Sequence, residues 1–330
     1  MISSTQNESL SQNIRNLTCP YASSWVHVQG PGGNTSAKDG NHMIIKASGF
    51  TFDDVCENAG VVILRVDEIL KLLFRSINEQ LQDSKHSISY LSKSDLRASM
   101  EVEFHAVLGK YVLHTHNVYV NILTCSKACE LLLAQMFPNL DYIFIPFVTP
   151  GLPLAKCIYN HQLSGKKVRV FFLKNHGIIV HGETIDEVHA LYSFVQTTII
   201  QSLNLDVQHS HFSHTIKLGV YQFNQFTHGL NFENLSFLTQ KILVPDQSIF
   251  FRGKMSDSDD TKDIFISFPN QTVIVQGSKK YQYAVYDMLR MIFYILAQHK
   301  KLKLETDYIS NLDVNLLHGL QAEKYRQSLL

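Results

Sequence analysis

Two histidines one residue apart, His114 and His116, close the run Lys110-Tyr-Val-Leu-His-Thr-His116. In a strand, residues i and i+2 point to the same face. At the end of such a β-branched, apolar run, two imidazoles therefore aim the same way. His176, in Phe171-Phe172-Leu173-Lys174-Asn175-His176-Gly177, follows a second strand-like run and is backed by a glycine that lets the backbone turn. Three neutral imidazoles with an open position make a catalytic site for a divalent ion such as zinc. Upstream, Glu101 offers a carboxylate that could act as the base beside the ion. The chain holds 16 histidines in 330 residues, so a lone His-x-His is weak evidence. Glu101 alone reads as a charge serving a helix start.

Gly32-Gly33-Asn34-Thr35-Ser36 could cradle an anion: glycine turns backbone N–H groups inward, and Asn, Thr and Ser add donors. No Gly-Lys-Ser/Thr follows it, and the spacing is not that of a dinucleotide fingerprint. By itself it reads as a turn, and Lys46-Ala47-Ser48-Gly49 as a strand end of small residues.

The elements that must position these residues are a mixture of strands and helices. A short helix is expected around residues 12–17, after a frayed, polar start, and a strand over Trp25–Gln29. The sequence Asp39-Gly40-Asn41 predicts a hairpin turn before the strand Met43–Lys46. Val61–Val66 reads as a strand, followed by a helix that Asp67 caps, and 79–93 as a surface loop. Ser99 is the expected N-cap of an amphipathic helix over Met100–Leu108, which sets Glu101 and His105 on one face. Helices follow at 118–123 and 129–136, and a strand at Tyr142–Ile145. Val168–Leu173 and Gly177–Gly182 pair as strands around His176. Thr184 and Glu187 form a capping box that opens a helix to about Leu203. The polar stretch 208–225 divides the chain into residues 1–225, which carry the metal-site motifs, and a small α/β unit, 226–330. In the latter, strands flank Pro269-Asn270 and a helix spans Tyr283–Gln298.

Twenty-nine basic residues balance 29 acidic ones, so no field advertises nucleic acid or anionic membrane. No run reaches the roughly 18 apolar residues of a membrane span. The N-terminus has neither a basic start nor an apolar segment, so no secretory signal is expected. Five irregularly spaced cysteines fit reduced thiols and a cytoplasmic protein. With 45% hydrophobic residues the chain can bury a sizeable core.

In order, Gly-Gly-Asn-Thr-Ser (32–36), Lys-Ala-Ser-Gly (46–49), Ser-Met-Glu-x-x-x-His (99–105), His-Thr-His (114–116), Pro-Gly-Leu-Pro-Leu-Ala (150–155) and Asn-His-Gly (175–177) resemble the class II aldolase/adducin family. That family includes fuculose- and rhamnulose-phosphate aldolases, ribulose-phosphate epimerases and a methylthioribulose-phosphate dehydratase. Residues 28–38 and the tail 322–327 resemble the aldolase half of bifunctional rhamnulose-phosphate aldolase/alcohol dehydrogenases, although no dinucleotide fingerprint occurs.

The resemblance implies a three-layer α/β/α sandwich around a predominantly antiparallel sheet. It implies that His114, His116 and His176 bind a divalent metal, usually Zn2+, and that Glu101 is the acid/base residue. Asn34, Ser48, Gly49 and Ser99 would hold a substrate phosphate. Met100 stands where the family often has a second serine, and its catalytic tyrosines find no match. The implied reaction cleaves a phosphorylated ketose to dihydroxyacetone phosphate, or a similar fragment, and an aldehyde through a metal-stabilised enediolate. A homotetramer is implied, with sites at subunit interfaces. Epimerase, dehydratase or decarboxylase chemistry on the same site, or a non-catalytic adducin-like interaction protein, are the alternatives.

Overall fold

The computed structural model describes residues 3–79, 95–165, 168–206, 220–222, 236–251, 253–258, 262–270 and 272–320. The chain opens with α1 (Ser4–Thr18), a longer helix than expected. Ser3 accepts a hydrogen bond from the Gln6 amide and caps it, and Leu10, Ile14 and Leu17 bury one stripe. Those three apolar residues suffice to dock a helix that is otherwise polar.

Trp25–Gln29 is not a strand. Its backbone turns, with the His27 and Val28 amides donating to Ser24 O, and Trp25 is buried under Arg290 and Tyr294. The expected hairpin forms from β1 (Asn34–Asp39) and β2 (His42–Lys46). There follow α2 (Phe52–Cys56), β3 (Val61–Arg65), α3 (Val66–Asn78), α4 (Val102–Val107), β4 (Tyr111–Thr115), α5 (Val118–Thr124), α6 (Cys129–Met136), β5 (Tyr142–Ile145) and α7 (Leu152–Leu163). The series continues through β6 (Val170–Leu173), β7 (Gly177–Gly182) and α8 (Ile185–Ser202). Both halves of the Thr184–Glu187 capping box are present. Helix α3 starts one residue before Asp67, with no side-chain cap.

The first seven strands form one sheet in the order β3-β2-β1-β4-β7-β6-β5. Every neighbouring pair is antiparallel except β5 and β6. Helices cover both faces, so the three-layer α/β/α sandwich around a predominantly antiparallel sheet is the observed fold. Period-two alternation makes the layers: Leu113, Phe172, Ile178 and Val180 pack with α1, α5 and α8, whereas Val112, Phe171 and Ile179 pack with α3, α4 and α7.

Beyond this lie β8 (Val220–Gln222), α9 (Ser236–Thr239), α10 (Pro245–Phe251), β9 (Met255–Ser256), β10 (Ile264–Ser267), β11 (Thr272–Val275), α11 (Lys279–Leu302) and α12 (Asn311–Gly319). The four strands form a second sheet, β8-β11-β10-β9, and α11 packs on α5. Residues 80–93 of the expected loop at 79–93, most of the stretch 208–225 and the tail 322–327 lie outside the described residues. Among the described residues no helix is long and apolar enough to cross a membrane.

The cysteines depart from expectation. Cys19 and Cys56, 37 residues apart in the chain, are disulfide-bonded. Their spacing carries no signal, because packing of α2 beside the end of α1 creates the pair. Cys125 and Cys129 are free and buried, and burial pushes both thiols up to about 12.

Candidate metal centre

Strand β4 carries His114, and His116 lies one residue past its end. The turn between β6 and β7 carries His176. Because β4 and β7 pair with Thr115 opposite Ile178, the strand end and the turn lie side by side. Gly177 makes the approach possible: a Cβ there would stand 2.1 Å from Thr115 O. Asn175 takes a left-handed φ of 52°, a conformation that asparagine tolerates better than most residues. From α5, Asn121 Nδ2 donates to both His116 O and His176 O, tying the two segments together.

The three rings converge. Their centroids form a triangle with sides of 5.1, 4.9 and 5.0 Å. One ligand atom from each lies within 4.8 Å of the others, and all three residues are buried.

Glu101 reaches the same point from α4, though not as expected. Ser99 does not cap this helix; Glu101 occupies the N-cap position without making a side-chain cap bond. Ser99 instead accepts from the Glu101 amide. The carboxylate is thereby left to turn inward, with Oε2 3.4 Å from His114 Nε2 and Oε1 3.9 Å from His176 Nε2. Asn34, directly opposite His114 in the β1–β4 register, donates to Glu101 Oε2 at 2.7 Å and to Ser99 Oγ at 3.1 Å. His105 contacts Asn34 Oδ1 through Nε2 and meets Ser36 Oγ at 2.7 Å through Nδ1. A buried polar chain thus runs from Ser36 through His105 and Asn34 to Glu101.

Burial is the largest influence on His105 and His114 and lowers both below the usual imidazole range; at His114 the Glu101 charge opposes it. Neutral imidazole is the form that ligates metal. His114 Nδ1 faces Ile178 O at 3.0 Å, which leaves Nε2 turned toward Glu101. No hydrogen bond reaches that buried Nε2, nor Glu101 Oε1. Buried polar atoms without partners are rare in folded proteins, and a cation among the three rings would satisfy them. The donor set, three imidazoles beside a carboxylate, therefore fits a divalent ion.

The four residues proposed for phosphate meet at this site. Asn34, Ser48, Gly49 and Ser99 line one small cavity of about 40 Å³ together with Glu101, His116 and His176. Lys46 lines it too, its ammonium donating to Pro31 O and Phe50 O. The Asn34 amide is engaged by Glu101, Ser99 and His105, so its contribution here is to hold the carboxylate.

Sequence reasoning missed Asn121, Asn175 and Asp246. Asp246 enters the cavity from α10 and stands 3.2 Å from His116 Nδ1. Val244-Pro245-Asp246 has no motif that could have announced this.

The family model for the class II aldolase and adducin N-terminal domain matches residues 19–201. In fold, the chain is similar to the N-terminal class II aldolase domain of a Thermoplasma acidophilum protein (20% identity, TM-score 0.50), over 62% of this chain and 95% of that one. An L-fuculose 1-phosphate aldolase aligns at 17% identity and TM-score 0.41, over 62% of this chain and 88% of that one. The Bacillus subtilis (strain 168) protein YuxG, named as an uncharacterized oxidoreductase, is 28% identical over 127 residues. That match takes in 37% of this chain and spans only 18% of the curated relative's length.

Proposed function

Because the chain belongs to the class II aldolase and adducin family, we propose that it is a metal-dependent lyase that cleaves a phosphorylated ketose into dihydroxyacetone phosphate, or a similar fragment, and an aldehyde. The observation that carries this reading is the meeting of three buried imidazoles and Glu101, with Glu101, His116 and His176 at the wall of a cavity that Asn34, Ser48, Gly49 and Ser99 also line. In this reading His114, His116 and His176 hold the ion, and zinc is the ion their chemistry suits best. The ion supplies Lewis-acid charge beside the reacting oxygens.

The residues of the chain do the rest. Glu101 moves the proton, and its Oε1, which no hydrogen bond reaches, is the atom able to take it. Asn34 holds the opposite carboxylate oxygen and so fixes the direction of Oε1. Ser48, Gly49 and Ser99 anchor the phosphate, which keeps the reacting carbon near Glu101. Burial at the ends of β4 and β7 limits water around the site. Residues 1–225 carry this chemistry, with 226–330 as a C-terminal unit, and the enzyme acts in the cytoplasm as a homotetramer. The Cys19–Cys56 disulfide stands against that location; the thiol state of the two residues in protein taken from cells without reductant tests it, and an intact bond would overturn it.

The deciding experiment is a screen of ketose phosphates for aldehyde release by zinc-loaded protein, wild type against Glu101→Gln. Turnover by the variant should fall about 100- to 10,000-fold while bound zinc is unchanged. Full activity in the variant would remove Glu101 from the reaction. Conversion of a ketose phosphate without aldehyde release would select epimerase or dehydratase chemistry on the same site. Folded protein that holds no metal would favour an adducin-like interaction protein.

A further inference from the structure

Two carboxylates are buried at the three rings, and they come from opposite ends of the chain. Glu101 lies within residues 19–201, which match the family model; Asp246 lies outside them, in the C-terminal part. Asp246 is only 2% exposed, and burying a carboxylate is costly unless charge or hydrogen bonds compensate. Its Oδ2 faces His116 Nδ1 at 3.2 Å, and among the described residues that nitrogen has no hydrogen-bond partner. Gly32 leaves room for the pair: a Cβ there would stand 2.8 Å from Asp246 Oδ2 and 2.9 Å from His116 Nδ1.

The approach is fixed from both sides. Asn175, the residue before His176, donates through Nδ2 to Leu243 O at 2.9 Å and to Asp307 O at 3.0 Å. Gln247 holds the same segment, accepting from the Leu243 amide and donating to Leu238 O and Lys241 O. The turn that carries one histidine is thus stitched to the segment that carries the carboxylate facing another.

We propose that Asp246 is a positioning residue of the metal centre: it takes the Nδ1–H of His116, fixes that ring's tautomer and orientation, and so presents Nε2 to the ion. This rests on the three-histidine reading above. Metal-bound histidines generally give their second N–H to a carboxylate, a carbonyl or water; His114 gives its own to Ile178 O, and for His116 the partner comes from the C-terminal part. The metal-binding half of the molecule is then incomplete without residues 243–247.

The test is zinc affinity of the full chain, by competition with a chromophoric chelator, in wild type, Asp246→Ala, Asp246→Asn and His176→Ala, with apo-protein melting temperatures alongside. Loss of such a partner typically weakens metal binding about 10- to 100-fold. Asp246→Ala should show that loss, and Asp246→Asn, which keeps an acceptor oxygen, should recover part of it. The apo melting temperatures should match wild type or exceed it, because a buried charge is removed. Equal zinc affinity in wild type and Asp246→Ala would overturn the proposal, as would a loss that merely tracks a fall in apo stability. Should His176→Ala bind zinc as wild type does, the three-histidine reading itself fails. If His176→Ala loses zinc and Asp246→Ala does not, only the role of Asp246 falls.

Discussion

Two buried polar clusters flank the end of β4, and Thr115 divides them. On one side lie His114, His116 and His176. On the other, Thr115 Oγ1 meets Tyr192 OH at 3.1 Å, within a group that includes Tyr21, His27, Asn117 and His189. Both clusters contain several imidazoles, buried in the first and half-buried in the second, and the accounting of ring nitrogens differs. His27 Nδ1 meets Tyr192 OH at 2.8 Å, and His189 Nδ1 meets Tyr21 OH at 2.7 Å. His189 Nε2 has Asn16 O. In the first cluster, among the described residues, His114 Nε2 receives no hydrogen bond and faces the Glu101 carboxylate, and His116 Nδ1 has only the Asp246 carboxylate opposite it. A half-buried histidine whose nitrogens are served by hydroxyls and carbonyls is part of the packing. Converging rings with unserved nitrogens are built for something the chain does not itself supply.

The contrast can be broken or sharpened by substitution. The largest effect is expected from His176→Ala. Removing a direct ligand should weaken zinc binding by more than the roughly 100-fold upper bound for an outer partner, with little change in the far-ultraviolet dichroism. Unchanged stoichiometry in a chelator titration would strike His176 from the ligand set and dissolve the distinction between the clusters. Next comes Tyr192→Phe, which deletes the hydroxyl serving His27, Thr115 and Asn117. Buried groups left without a partner cost about 1–3 kcal/mol, so denaturant unfolding should register a loss of that order while zinc affinity stays put. A matching drop in zinc affinity would mean that the second cluster also belongs to the site.

A third test concerns pH. Burial lowers His27 to about 4 from an ordinary 6.5. Between those values the unfolded chain takes up a proton that native His27 refuses. Its contribution is therefore intact above about 6.5 and is lost as pH falls toward 4. His27→Gln should flatten the acid side of the stability profile by at most about 1.4 kcal/mol per pH unit. An unaltered profile between those limits would show that His27 titrates normally and is not sealed in the packing.

Much of this was legible along the chain, wherever the signal was local. The turn Asp39-Gly40-Asn41 and the Thr184–Glu187 box acted through neighbouring residues and folded as read. Ser99 was misread because a serine before an acidic, apolar-striped run has the chemistry of a cap. Here its hydroxyl is held by Asn34 and the Glu101 amide, partners the local pattern could not weigh. Trp25–Gln29 alternates like a strand, yet among the described residues no strand pairs with it. Its apolar side chains serve a buried turn instead.

The sequence by itself determined which residues have metal-binding chemistry and the two strand ends that present them, because side-chain type and period-two geometry are properties of a short segment. Only the tertiary structure decided that the antiparallel pairing of β4 and β7 sets His114 and His116 against His176, that Asn34 turns Glu101 toward them, and that Asp246 arrives from beyond the family domain. Those contacts join residues 60 to 130 positions apart. Long-range packing creates them, and no spacing along the chain encodes them.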